Sequence, residues 1–196
     1  MKKYTILLDS SNISLSVGVG LDDELLKSTS YEAWQEQSEH MIPELNNLLK
    51  ELNITKDEIK DVMTSIGPGS YTGIRISLTI AKTICTALNI PLYVVSSLQV
   101  LKNGENPSIC LINARSNRSY FGCYQGEKVL IKDQIMTNDN VIKFVNEHPR
   151  YSVCGDLKYL GLNGYKGNIC EEMLTLKKDM KPVDNYLSAA PIYMKD

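Results

Sequence analysis

Residues 66–76 read Ile-Gly-Pro-Gly-Ser-Tyr-Thr-Gly-Ile-Arg-Ile and constrain the fold more than any other segment. An apolar run (Ile59, Val62, Met63, Ile66) stops at a turn holding Gly67, Pro68, Gly69, Ser70 and Gly73, and a long apolar stretch follows. A strand that turns sharply into a buried helix belongs to α/β architecture. Such a turn can present backbone N–H groups to an anion. It can equally be an elbow that packs a helix close on its own sheet, and the residues leave both readings open. The turn has no Lys, so it is not a P-loop, and its glycine spacing is not that of a dinucleotide fingerprint. It is not a nucleophile elbow, because Pro68 and Thr72 hold the two glycine positions around Ser70.

The helix expected over 72–88 is apolar on two sides. Ile74, Leu78, Ala81, Cys85 and Leu88 form one stripe, and Ile76, Ile80, Ile84 and Ala87 a second. A helix of that kind needs cover on both sides. One cover is its own sheet; the other is a neighbouring helix or another protein. Over 36–52, Met41, Ile42, Leu45, Leu48, Leu49 and Leu52 make a single stripe, with Pro43 early enough to be tolerated.

The remaining pattern is of strands in two similar sets. Residues 4–8 are a buried strand ending at Asp9-Ser10-Ser11-Asn12. In 13–20, Ile13, Leu15, Val17 and Val19 alternate with small Ser and Gly residues, a period-2 strand, and a third strand covers 24–31. Thr55 and Glu58 have capping-box spacing before a strand at 61–66, and Leu92–Val95 is a further strand. After the polar stretch 103–107, strands at 108–113, 118–124 and 127–136 precede a helix at 138–147 and a short strand ending at Val153. The order of three strands, a helix and a strand thus occurs twice, a duplication of architecture rather than of sequence. It divides the chain into an N-terminal lobe, 1–103, and a smaller C-terminal lobe, 104–196. The tail 156–196 has no legible secondary structure.

The net charge of −2 supplies no global field to recruit RNA or a membrane surface. The five cysteines are widely spaced and form no C-x-x-C pair, so buried, reduced thiols are expected. Ile6-Leu7-Leu8 is too short for a signal peptide and no stretch approaches a membrane span, which makes a cytoplasmic protein the expectation. His40 and His148 lie far apart in surface-like segments, without metal-site spacing, so no metal site is expected. Asp9 ends the first strand, where phosphates or metals are often held, and also fits an Asx-turn. With Ser10, Gly69 and Ser70 it forms the candidate nucleotide or anion site. Arg115 and Arg118 flank a turn where a solvated loop outweighs phosphate binding.

These residues resemble the TsaB (YeaZ) family. Asp9-Ser10-Ser11 and the strand after it are similar to that family's opening Asp-Thr-Ser. The 66–76 segment is similar to its hallmark Gly-Pro-Gly-Ser-Phe-Thr-Gly-Leu-Arg-Ile. Val95-Ser96-Ser97-Leu98, Asn113-Ala114-Arg115 and the near-terminal Pro191-Ile192-Tyr193-Met194-Lys195 resemble further family segments. The resemblance implies an α/β fold of two similar lobes of the actin/Hsp70/sugar-kinase (ASKHA, ribonuclease H-like) type. It implies a non-catalytic subunit that binds and stabilises TsaD, the transferase that makes N6-threonylcarbamoyladenosine on tRNAs reading A-starting codons. TsaE, an ATPase, is an implied further partner, as is a second copy of the chain when TsaD is absent; tRNA is met only through the complex. Docking is expected through the lobe-one helices, with Met41, Leu45, Leu48, Ile74, Leu78, Ile80, Ala81 and Ile84 as the contact residues. No intrinsic cofactor is implied, although ATP or ADP at a subunit junction is compatible with the family.

Three departures bear on chemistry. Gln37-Ser38-Glu39 stands where the family often has His-Ser-Glu. Asn113 replaces an aspartate that catalytic relatives of the fold use with nucleotide and metal, and Cys154-Gly155-Asp156-Leu157 keeps one glycine of a paired motif. They weaken the alternative of a stand-alone ATPase or small-molecule kinase. A glycoprotease, suggested only by an old family label, lacks the metal-binding histidine pair.

Overall fold

A computed structural model describes residues 3–194 of the chain; Lys195 of the near-terminal motif lies outside them. Three strands, β1 (Tyr4–Asp9), β2 (Ser14–Leu21) and β3 (Glu24–Glu32), form an antiparallel meander. Helix α1 (Gln37–Glu51) and a 3-10 turn at 56–58 lead to β4 (Ile59–Ser65), which pairs parallel to β1. The Glu58 carboxylate accepts the Thr55 N–H at 3.0 Å, as the capping-box spacing predicts. Helix α2 (Tyr71–Leu88) crosses to β5 (Leu92–Val95), giving the sheet order β3-β2-β1-β4-β5.

The second sheet repeats the plan. It contains β6 (Ser108–Arg115), β7 (Arg118–Gln125), β8 (Lys128–Thr137), helix α3 (Asn138–Glu147) and β9 (Ser152–Gly155), in the order β8-β7-β6-β9. In both sheets the first strand of the meander pairs antiparallel with the second and parallel with the strand after the helix. The duplication read in the sequence is therefore a duplication of topology, and the chain has the two-lobed α/β architecture of the actin/Hsp70/sugar-kinase type.

The alternation in β1 and β2 divides the first sheet between two cores. Ile6, Leu8, Leu15, Val17 and Val19 meet Met41, Leu45 and Leu48 of α1 and Leu78, Ala81 and Cys85 of α2. Leu7 and Met63 point the other way and meet helix α4 (Ile169–Lys177) through Met173 and Leu174. The sequence reading missed α4, although its place was marked. The small residues of β2 face it, and a Cβ on Gly20 would come within 2.7 Å of the Leu174 side chain. The C-terminal chain thus returns to the first sheet. Two inward-facing ion pairs fasten α4: Lys102 to Glu172 at 2.6 Å near its start and Lys177 to Asp61 at 2.7 Å at its end. All five cysteines are buried and unbridged.

Candidate docking face and interlobe cleft

The glycine turn is an elbow fitted against the end of β1. A Cβ on Gly69 would lie 2.1 Å from the Ser11 carbonyl oxygen, and one on Gly73 would lie 1.9 Å from that of Ser10. Only glycine permits this approach. Three of the turn's amides are spent inside the protein. Ser70 N–H donates to Ser11 O at 2.6 Å, Gly67 N–H to Ser97 Oγ at 3.0 Å, and Gly73 N–H to the capping hydroxyl of Ser70 at 3.2 Å. Ser10 Oγ donates to Gly73 O at 2.8 Å. Donors committed in this way are not free to cradle a phosphate.

The four candidate anion-site residues are separated by the fold. Asp9 and Ser10 are fully buried. Asp9 faces the α4 side, where Ser65 Oγ and Ser11 N–H donate to Oδ1; Oδ2 has no partner among the described residues. Gly69 and Ser70 instead line a cleft of about 760 Å³ between the lobes, opposite Asn113, Arg115 and Asp156. Asp9 and Ser10 do not line it, so the expected grouping is corrected: the carboxylate is sealed beneath the turn. Arg115 lies over the Trp34 ring at 5.8 Å, at the same cleft. His40 and His148 make local contacts, to Glu36 at 3.5 Å and to the Phe144 ring and carbonyl respectively.

Burial raises the Asp9 pKa, partly opposed by its Ser65 and Ser11 hydrogen bonds. A carboxyl raised on folding stabilises fully below its unfolded value, and that contribution is lost as pH rises through the folded value. Asp9→Asn is therefore expected to gain stability over the parent at neutral pH. The gain shrinks as pH falls toward the ordinary carboxylate range. Urea denaturation at several pH values tests it, and a pH-independent difference would sink the idea.

The docking residues also divide. Met41, Leu45, Leu48, Ile74, Leu78 and Ala81 are at most 5% exposed, and all but Ile74 pack within the first core. They are corrected from contact residues to supports, because an amphipathic helix turns its main stripe inward. Ile80 and Ile84 of the second α2 stripe are half-buried, as is Ile76, and Ile42 of α1 is 40% exposed. Between this flank and the opposite one stand the exposed Thr79, Thr83 and Thr86. Thr83 and Thr86 hydroxyls donate back to Thr79 O and Lys82 O at 2.8 Å, which satisfies them within the helix.

The opposite flank of α2 is lined by the chain after Pro182, which sequence periodicity did not resolve. Val183 N–H donates to Leu92 O at 2.9 Å, Lys82 Nζ to Leu187 O at 2.9 Å, and Ile192 N–H to Ile66 O at 2.7 Å. Arg75 Nε donates to the Tyr193 hydroxyl at 2.7 Å.

Comparison with known proteins agrees with this architecture. Residues 31–151 match the family model described as TsaD, tRNA N6-adenosine threonylcarbamoyltransferase. The tRNA threonylcarbamoyladenosine biosynthesis protein TsaB of Bacillus subtilis is 32% identical over 143 residues, covering 70% of this chain and 62% of that protein. The match to TsaB of Buchnera aphidicola (Schizaphis graminum) is 28% identical and covers 67% and 65%. The chain thus spans somewhat under two thirds of the length of these curated relatives. Protein MG208 of Mycoplasma genitalium, itself uncharacterized, is 26% identical over 100% of this chain and 97% of its own length. YeaZ from Pseudomonas aeruginosa has the same fold, with a TM-score of 0.80 at 20% identity over 99% of this chain and 100% of that one.

Proposed function

The chain belongs to the family whose model is described as TsaD, tRNA N6-adenosine threonylcarbamoyltransferase, and we propose that it is a TsaB (YeaZ)-type member, a non-catalytic subunit that docks on and stabilises the TsaD transferase. The observation that carries this reading is the second apolar stripe of α2. Ile76, Ile80 and Ile84 are only half-buried on a helix whose first stripe is already buried in the core, and Ile42 of the neighbouring α1 is exposed. Apolar area of that kind is what a partner covers. The back-bonded threonine hydroxyls between the two flanks let a partner helix approach without leaving a polar group unsatisfied.

The non-catalytic part of the reading rests on the cleft. Its wall carries Asn113 where a catalytic relative would carry a carboxylate, and Asp9 is sealed away from it. A subunit that binds only the folded transferase raises that enzyme's stability by mass action. TsaE, pairing with a second copy, and a nucleotide at a subunit junction belong to the same proposal.

Size-exclusion chromatography with light scattering, on the chain mixed with its cognate TsaD, tests the reading. Ile80→Glu places a charge in the docking stripe at a half-buried position on the edge of the core, so its melting temperature is measured alongside. It is expected to weaken the complex by at least about 30-fold, a 2 kcal/mol hot spot. Unaltered complexes with both Ile80→Glu and Ile84→Glu would reject the helix face. Titration of the isolated chain with ATP and magnesium tests the stand-alone ATPase or kinase, which turnover lost on an Asn113 substitution would favour.

A further inference from the structure

At the start of α2 the side chains of Tyr71, Arg75 and Tyr193 form one stacked rung. The two tyrosine rings stack with centroids 5.0 Å apart at 26°. The Arg75 guanidinium carbon lies 3.9 Å from the Tyr71 ring centroid and 5.7 Å from that of Tyr193. Its Nε is spent on the Tyr193 hydroxyl. The Tyr193 segment is itself fixed by the Ile192–Ile66 backbone hydrogen bond. Yet the rung is on the surface: Tyr71 is 56% exposed and Tyr193 40% exposed. An arginine normally gives up rotamer freedom when it binds. Here it is already ordered, and its two terminal nitrogens have no partner among the described residues.

We propose that this rung is a recognition point for a carboxylate side chain on the docked protein partner. The inference rests on the docking reading above and names the chemistry of one edge of that face. A guanidinium with Nε engaged offers its terminal edge as a two-pronged donor, which matches the two oxygens of a carboxylate. Charge points the same way, since α2 carries Arg75 and Lys82 and no acidic residue. Exposed Ile192 adjoins the rung on the C-terminal segment, and exposed Leu187 lies farther along α2, its carbonyl on Lys82. The fitting partner surface is therefore apolar with an Asp or Glu at its rim. Aromatic and arginine side chains are the types that dominate interface energetics. A phosphate would also suit the guanidinium, but a net charge of −2 offers no field to gather a polynucleotide here.

The test is calorimetric titration of the full chain with its cognate TsaD at two salt concentrations. Arg75→Lys, Tyr193→Phe and Ile80→Glu are compared, with the melting temperature of each variant measured. Arg75→Lys keeps the charge and loses the planar fork. It is expected to weaken binding at least 10-fold at both salt concentrations, with a salt dependence close to the parent's and little change in melting temperature. Tyr193→Phe keeps the stack and loses the Nε contact; a smaller loss in the same direction is expected. Parent-like affinity in Arg75→Lys, while Ile80→Glu abolishes binding, would overturn the rung and leave the docking face standing. Normal binding by Ile80→Glu with loss in Arg75→Lys would do the reverse. Should Arg75→Lys fail to fold, an unchanged affinity in Tyr193→Phe overturns the rung by itself. Binding of tRNA by the chain alone that depends on Arg75 would assign the rung to phosphate and also overturn it.

Discussion

Replacing Asp61 with alanine is expected to cost about 3–5 kcal/mol of folding stability, the usual effect of breaking a buried ion pair from one side. Asp61 is 1% exposed and accepts from Lys177 Nζ at 2.7 Å; Lys177 is only 11% exposed. The same ammonium donates to Thr5 Oγ1 at 3.1 Å and lies 4.7 Å over the Tyr93 ring. Neither contact offsets a full charge, so removal of the carboxylate leaves a buried cation with neutral neighbours. Removing both charges together, with Asp61→Leu and Lys177→Met, should restore most of the loss, because a well-packed apolar pair replaces an ion pair at little net cost. Denaturant unfolding of the two single variants and the double variant gives the coupling directly. A loss below 1 kcal/mol in Asp61→Ala would mean that water reaches Lys177 and that α4 is not fastened at this end.

That ion pair also marks where sequence reading stopped. The first sheet was legible because each of its elements carries its own period. Alternation in β2 and the stripes of α1 and α2 each fix a buried face without reference to distant residues. Helix α4 has nine residues, and its partners lie far away in sequence: Thr5, Asp61 and Lys102. A short helix has little periodicity, and a charge paired across that distance resembles any surface charge in a sequence. The one local hint was the small face of β2, which needs a close cover, but nothing in the sequence says which segment supplies it.

The candidate site divides in the same way. Periodicity identified two stripes on α2 and could not say which one the fold consumes. The sheet takes Ile74, Leu78 and Ala81, which leaves Ile76, Ile80 and Ile84. Asp9 is a strand-end carboxylate, as its place after the apolar run indicates, but odd-numbered positions of β1 face α4 rather than the cleft, as Leu7 does. Tyr71, Arg75 and Tyr193 form their rung only because the chain end folds back beside α2, over 118 residues from Arg75 to Tyr193. No window of the sequence contains that contact.

The second large effect is expected at Gly73, and it connects the elbow to function. Gly73→Ala sets a Cβ 1.9 Å from the Ser10 carbonyl oxygen and 3.1 Å from its carbon. Both are backbone atoms held by β1, so no rotamer change relieves the clash, and the first turn of α2 must retreat from the sheet. Overpacking of this kind costs about 1–3 kcal/mol. Displacing the Ser70 cap and the Ser10–Gly73 hydrogen bond adds about 1–2 kcal/mol more. The sum is about 2–5 kcal/mol. Gly104→Ala is the control, since its φ is +51° but an added Cβ there meets nothing within 4 Å; its cost is backbone strain alone, about 1–2 kcal/mol. The pair separates an elbow built for close approach from a turn that needs only glycine's dihedral freedom. A retreat of α2 also moves Arg75 and the Ile76–Ile84 stripe relative to α1. Gly73→Ala should therefore weaken the proposed docking on TsaD beyond what its fraction unfolded explains, whereas Gly104→Ala should not. Equal stability losses in the two variants, with docking intact in both, would show that the glycine turn does not set the docking helix. An anion role for the turn would then regain the ground that its committed amides now deny it.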